Sequence, residues 1–599
     1  MNEKGTISVH TENIFPIIKK FLYSDQDIFL RELVANGVDA IQKLKKFSAM
    51  GLYEGAVEQL SVEVLVNQAQ KTLTIKDHGV GMTADEIKQY INQIAFSGAT
   101  EFVEKYKDQV EKHQLIGCFG LGFYSAFMVA KKVEIITKSY QSDAPAAHWS
   151  CDGSTSFELS ATEKEEVGTE VILHLAEEEF LIPERIQSIL TKHCRFLPID
   201  IIFDGKVINN TAPLWIKNPL DLQPEDYLSF YKELYPFAAD PLFWIHLNID
   251  YPFNLTGILY FPKAANYFEQ KETIQLYARQ VFITNEVQEV IPDFLRLLHG
   301  VIDSPDIPLN VSRSALQSDS NVKKINGYVA KKVAEKLENI FQEDRKNYES
   351  AWEDIAIFIK YGMITHDKFY EKVKDVVLLQ NTAGAFYTIE EYKTKVSDKQ
   401  TDKHGNLVLL YTTDPKKNKI YLQSAEQKGY DVLLLNSQID TNFINFSEQK
   451  FDKVKFKGID TDTMERLIEQ EVCLEQMLTE AEQQTLKEIY EIAIESKPIT
   501  WNVVAMSPDE LPVILITSEM FRRMEQFTKR KEKEDWFPMT FSINGNHPLA
   551  KKILNAQEKS IQKTLARRAY HLALLAKGNL EGEQLADFIQ GYTEEVLTN

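Results

Sequence analysis

The sequence predicts a multidomain α/β protein: an α/β sandwich at the amino end, an α/β middle domain and an α+β carboxy-terminal domain. Three observations carry this. The chain has 599 residues, too many for a single hydrophobic core. Helix-like and strand-like periodicities alternate over the first ~210 residues, and the texture then changes at "WIKNPLDLQPEDYLSFYKEL" with no low-complexity linker. Short apolar strands separated by a helix recur later, and the chain ends in two helical stretches. The expected divisions are 1–213, 214–480 and 481–599.

The first element is "FLRELVANGVDAIQKL" (29–44). At helical spacing Leu33, Gly37, Ala40 and Leu44 share one side, widened by Val34, Val38 and Ile41. Glu32, Asn36 and Asp39, at i, i+4 and i+7, form a narrow polar stripe that reads by itself as a solvated face. "LSVEVLVNQAQKTLTIKDHG" alternates either side of a polar turn and predicts a hairpin. "KKVEIITKSY", "STSFELS" and "GTEVILHL" continue as strands, and "FLIPERIQSILTKHCRFL" returns to helix. Helices on one face of a mixed sheet fit this order.

Farther on, "FWIHLNIDYPFNLTGILYFP" (243–262) predicts a hairpin and "LYARQVFITN" one more strand. Long helices follow at 320–345 and "YESAWEDIAIFIKYG". "NLVLLYTTD" and "DVLLLNS", with a helix between them, predict a second α/β unit. The last ~120 residues open with the strand candidate "LPVILITS" and end in helices at "SIQKTLARRAYHLALLAKG" and "GEQLADFIQGYTEEVL".

Composition narrows the function. The 67 basic and 88 acidic side chains give a net charge of −21, which repels nucleic acid. The densest basic stretch, "FRRMEQFTKRKEKED" (521–535), interleaves glutamates and reads as a solvated amphipathic helix. The start is polar and no apolar run approaches the ~18 residues of a membrane span, so the expected address is cytoplasmic. Cys118, Cys151, Cys194 and Cys473 lie far apart, without metal or disulfide spacing.

Two glycine clusters carry chemistry. In "TIKDHGVGMTADEI" (74–87), Asp77 ends an apolar strand, and Gly79 and Gly81 let backbone approach a flat ligand. A carboxylate in such a slot can accept from an exocyclic amine, although D-x-G-x-G alone serves a hairpin turn equally well. In "IGCFGLGFYSAF" (116–127), Gly117, Gly120 and Gly122 precede an apolar helical run, where amides can face phosphate oxygens. In isolation this is as consistent with a hinge, and it is neither the dinucleotide fingerprint nor a Walker loop.

In this order the helix, D-x-G-x-G and G-x-x-G-x-G resemble the GHKL ATPase superfamily, in which ATP lies over a helix–sheet sandwich. The resemblance implies that Asn36 holds magnesium, that Glu32 orients the attacking water as general base and that Asp39 supports them. One helix face meets the need for a rigid oxygen ligand and an in-line water one turn apart. Closer matches, "FLRELVANGVDA", "DHGVGMT", "IAFSGAT", "IGCFGLGFYSAF" and "GTEVILHL", resemble the amino-terminal domain of the heat-shock protein 90 chaperones. "LYARQVFITNEVQEVIPDFLRLLHGVIDSPDIPLNVSRSALQ" (276–317) is similar to their middle domain, and "NGNHPLAKKIL" (544–554) to the start of their dimerisation region. With no acidic linker and no terminal M-E-E-V-D, the chain resembles the bacterial type, and tetratricopeptide co-chaperones are not expected on its tail.

The resemblance implies a homodimeric clamp that hydrolyses ATP slowly, limited by closure, and acts on client proteins. It adds Met82, Ser97, Gly98, Phe123 and Thr169 to the nucleotide pocket, under a lid at about 92–125. It also implies that Arg313 reaches the γ-phosphate on closure, flanked by Asn310 and Gln317, with Arg279 and Phe282 in support. The chain departs from the family pattern at Gly37, Val38, His78, Phe96, Ala99 and Cys118, which bears on lid kinetics and inhibitor affinity. Met520, Phe521, Met524 and Phe527 in "SEMFRRMEQF" present a Met-rich face suited to varied clients, or equally a core or dimer-facing helix. Among rivals, a DNA-handling ATPase conflicts with the charge, and a histidine kinase lacks room for a phosphoacceptor helix ahead of the domain. A scaffold that binds ATP and hardly hydrolyses it shares all the same residues.

Overall fold

The computed structural model describes residues 25–93, 116, 120–154, 156–263, 273–287, 289–307, 320–470, 474–494, 499–527 and 539–598. The chain divides into two compact units between Val333 and Ala334.

In the first unit, helix α1 (Ile28–Ala49) buries Phe29, Leu30, Val34, Val38 and Ile41 in the core. Glu32 and Asp39 are buried as well, and only Asn36 of the polar stripe is exposed. The stripe is therefore not a solvated face. The predicted hairpin forms from β1 (Ser61–Asn67) and β2 (Thr72–Asp77), antiparallel with Val62 opposite Asp77 and Asn67 opposite Thr72. Helix α2 (Ala84–Tyr90) follows, with Thr83 and Glu86 forming a capping box.

The sheet continues with β3 (Ala130–Lys138), β4 (Ala147–Cys151), β5 (Glu158–Ala161), β6 (Gly168–Leu175), β7 (Asp200–Phe203) and β8 (Lys206–Val207). Its order is β5-β4-β3-β6-β2-β1-β7-β8, antiparallel except where β7 runs parallel to β1. Strand β4, "AHWSC", is formed without a sequence signal, because it pairs on both sides with β3 and β5. Helix α3 (Pro183–Cys194) brings Ile186, Ile189 and Leu190 into the same core as α1, Val62, Val64, Leu73 and Ile75. One apolar layer thus fixes α1 over β1 and β2.

A second sheet, ordered β12-β11-β13-β10-β9, contains β9 (Phe243–Ile249), β10 (Leu255–Phe261), β11 (Thr273–Ala278), β12 (Val281–Thr284) and β13 (His299–Asp303). "LYARQVFITN" is not one strand, because it turns back on itself as the β11–β12 hairpin. The turn is made by Arg279 and Gln280, at φ 55° and 64°, the left-handed values that glycine usually supplies. The buried Asp303 carboxylate holds it, accepting from the Gln280 backbone N–H at 2.8 Å and from Trp215 Nε1 at 3.3 Å. A cluster of Phe196, Trp215, Tyr277 and Phe282 packs around this carboxylate's partners.

In the second unit, β14 (Leu378–Gln380) pairs with β15 (Phe386–Thr388). Strand β16 (Leu407–Thr412) lies between β17 (Val432–Leu434) and β18 (Val454–Gly458), all parallel, with a helix at Lys419–Gln427 as the sequence predicts. The last stretch opens differently from the expectation. A helix at Glu480–Ala493 and strand β19 (Ile499–Val504) precede β20 (Val513–Ile516), and β21 (Met539–Asn544) sits between β19 and β20. Tyr570, on the helix at Lys559–Ala576, packs with Phe541 and Trp501 as an aromatic centre. Leu572 and Leu575 on that helix, and Ile589 and Tyr592 on the helix at Gly582–Thr598, are exposed. On the helix at Glu519–Phe527, Met520 is exposed and Phe521 half-buried, while the side chains of Met524 and Phe527 lie outside the described residues. Among the described residues no helix is long and apolar enough to cross a membrane.

Candidate functional site

The helix and parts of both glycine clusters meet along α1. At its amino end, Glu32 faces the second cluster: a Cβ at Gly122 would lie 2.6 Å from Glu32 Oε2. One turn on, a Cβ at Gly37 would lie 3.1 Å from Asp77 Cβ and from Val62 Cγ2. At the next turn Gly79 lies against the helix backbone, 2.5 Å from the Ala40 carbonyl carbon by the same measure, and Val80 N–H donates to Ala40 O. Glycine at 79 is thus a packing requirement, whereas at 122 an added Cβ would meet only the end of the Glu32 side chain. Gly37 seats α1 directly on the strand that carries Asp77.

Glu32 Oε1 accepts from Arg31 Nε at 3.2 Å and Nη2 at 2.8 Å, so Oε2 is the oxygen turned toward Gly122. Arg31 is 1% exposed, and its Nη1 reaches the Phe282 carbonyl on β12 at 3.5 Å. The carboxylate is therefore positioned by a guanidinium that is itself braced against the second sheet. Asp39 Oδ1 accepts from the Ile116 backbone N–H at 2.7 Å, tying the root of the second cluster to α1.

Asp77 is fully enclosed, and burial pushes its carboxyl up to about 7. Backbone N–H groups of Gly79, at 2.8 Å, and of Thr169 pull in the other direction. Thr169 Oγ1 lies 2.9 Å from Thr137 Oγ1, which also accepts from the Met82 N–H at 2.9 Å. Gly81, at φ 59°, passes so close to the Lys138 carbonyl that a side chain would collide with it. His78 Nδ1 donates to the Ser61 carbonyl at 3.0 Å, so the imidazole is committed to the start of β1.

Gly120 has φ 64°, and Phe123 is buried against Tyr124 and Trp149. The expected helical run after Gly122 forms as a 3-10 helix, Gly122–Met128. Ser97, Gly98, Gly117, Asn310, Arg313 and Gln317 lie outside the described residues, as do Phe96, Ala99, Cys118 and most of the span 92–125. Two contributors escape sequence reasoning: Arg31, which sits within an apolar stripe, and Thr137, whose role depends on the pairing of β3 with β6. Neither leaves a local signal.

The arrangement offers a buried carboxylate for an amine donor at one end. At the other it offers a second, oriented carboxylate that can accept a proton, with the exposed Asn36 amide one turn from it.

A family model described as Hsp90 protein matches residues 200–596, and one described as histidine kinase-, DNA gyrase B- and HSP90-like ATPase matches residues 25–174. The chain is 46% identical to the chaperone protein HtpG of Porphyromonas gingivalis, over all of this chain and 90% of that protein. It is 47% identical to HtpG of Bacteroides thetaiotaomicron, over 94% of this chain and 86% of that protein. It is 28% identical to the mitochondrial heat shock protein 75 kDa of Rattus norvegicus, over 96% and 85%.

Proposed function

This chain belongs to the Hsp90 protein family and is an ATP-dependent molecular chaperone, and we propose that it works as a homodimeric clamp whose slow ATP turnover is set by closure. The observation that carries the reading is that α1 touches both glycine clusters, with one buried carboxylate at each contact.

In this mechanism Asp77 accepts the adenine amine, while Gly79, Gly81, Met82 and Thr169 shape the slot. Ser97, Gly98, Gly117, Gly120, Gly122 and Phe123 cover the ribose and phosphates. Glu32 accepts a proton from the water that attacks the γ-phosphate. The exposed amide oxygen of Asn36 fits a magnesium ion that keeps most of its waters, and that ion would offset phosphate charge. Arg313, with Asn310 and Gln317 beside it, supplies positive charge once the domains of 1–213 and 214–480 close on each other. Arg31 sets the resting position of Glu32, so hydrolysis awaits the closed geometry. The segment 481–599 joins two chains, Met520, Phe521, Met524 and Phe527 contact clients, and the cytoplasm is the compartment.

Small-angle scattering with and without a non-hydrolysable ATP analogue tests the clamp. A dimer whose radius of gyration falls on binding supports it. A dimer that binds the analogue at unchanged dimensions is a scaffold instead.

A further inference from the structure

Away from the nucleotide slot, Asp25, Asp27 and His193 bring a carboxylate oxygen each and a ring nitrogen within 4.8 Å of one another. We propose that these three side chains form a site for a divalent first-row metal ion, Zn2+ or Mn2+, that pins the start of α1 to the end of α3.

The group is built rather than incidental. His193 is 4% exposed, and among the described residues neither of its ring nitrogens makes a hydrogen bond. Its ring stands edge-on to Phe282, with centroids 5.6 Å apart, and one of its nitrogens lies within 4.8 Å of an oxygen of each carboxylate. Buried polar atoms without partners are rare, and each calls for a ligand or another reason. Contrast the other histidine cluster on this domain. There Glu134 accepts from Nε2 of both His148 and His174, at 2.7 and 2.6 Å, so each ring already has a carboxylate partner.

The carboxylates have oxygens to offer. Arg185 Nη2 holds Asp27 Oδ1 at 2.5 Å and leaves Oδ2, orienting the carboxylate as a partner behind a ligand does. Asp25 Oδ1 accepts the Asp27 backbone N–H at 3.0 Å, and its Oδ2 has only Lys192 Nζ at 3.7 Å, a loose ion pair that a metal would displace. One imidazole and two carboxylates, with remaining positions for water, suit zinc or manganese better than a soft-metal site of thiolates. Asp27 is the residue from which α1 starts, and Glu32 follows within about one and a half turns, so an occupied site would stiffen the base-bearing end of that helix.

The test uses the full chain, stripped with a chelator and titrated with Zn2+ against a chromophoric competitor. One equivalent is expected to bind and to raise the thermal midpoint. Both effects should weaken at least about tenfold in His193→Gln, and in Asp25→Asn, whose half-buried side chain makes loss of folding an unsuitable excuse. A His148→Gln/His174→Gln double variant should keep the ion. No uptake, retention by both site variants, or loss only in the double variant overturns the site.

Discussion

Asp77→Asn replaces a titrating buried carboxyl by a neutral amide of the same shape. The folded carboxyl sits at about 7 against an ordinary 3.8, so it is protonated in the folded chain over a range where the unfolded chain has lost the proton. Stability must therefore fall as pH rises from about 4 to about 7, and the full penalty stands above 7. About three units at ~1.36 kcal/mol each put a ceiling of about 4 kcal/mol on it. The amide keeps an acceptor for the Gly79 N–H but cannot also serve Thr169, which costs ~1 kcal/mol at any pH. The variant should thus be about as stable as the parent near pH 4.5 and about 3 kcal/mol more stable at pH 8. Urea unfolding of the nucleotide-free chain at both pH values measures this. Adenosine, which does not titrate here, should bind the parent about tenfold more tightly at pH 8 than at pH 6 and should not bind the variant. A stability difference that is equal at the two pH values refutes the buried, titrating carboxyl.

Gly122→Ala places a methyl 2.6 Å from Glu32 Oε2, and because that atom ends a flexible side chain the carboxylate yields rather than the fold. ATP turnover should fall by about tenfold or more, with affinity and thermal midpoint little changed, since small displacements of a base cost rate. Gly37→Ala gains ~1 kcal/mol of helix propensity but presses on Asp77 Cβ and Val62 Cγ2, each 3.1 Å from the new atom. Its net stability should stay within about 1 kcal/mol of the parent. Its adenosine affinity, measured by calorimetry, should drop because Asp77 moves.

Most strands and helices were legible because their residues alternate or repeat on their own. The β1–β2 hairpin is announced by "LSVEVLVN" and "TLTIKD", and α1 by its apolar stripe. Strand β4 was not, since His148 and Ser150 interrupt any pattern and its pairing comes from β3 and β5. The β11–β12 turn was hidden because Arg279 and Gln280 replace glycine, with Asp303, 23 residues beyond Gln280, providing the acceptor. In the site, spacing alone pointed the wrong way for Glu32 and Asp39, which read as a solvated face and are buried, and it was the order of the three motifs that singled out Glu32, Asp77 and the glycines. The Arg31–Glu32 pair and the Thr137–Thr169 contact exist only after the sheet has assembled, so no local stretch foretells them.

Steady-state ATP turnover of the parent and of Glu32→Ala, with nucleotide affinity determined on the same samples, bears most directly on the clamp. The account predicts that turnover disappears in the variant while ATP still binds, because Glu32 accepts the water's proton and Asp77 holds the base. Equal turnover in the two proteins, with ATP bound by both, would contradict it and leave the polar stripe of α1 a structural feature of a nucleotide-binding scaffold.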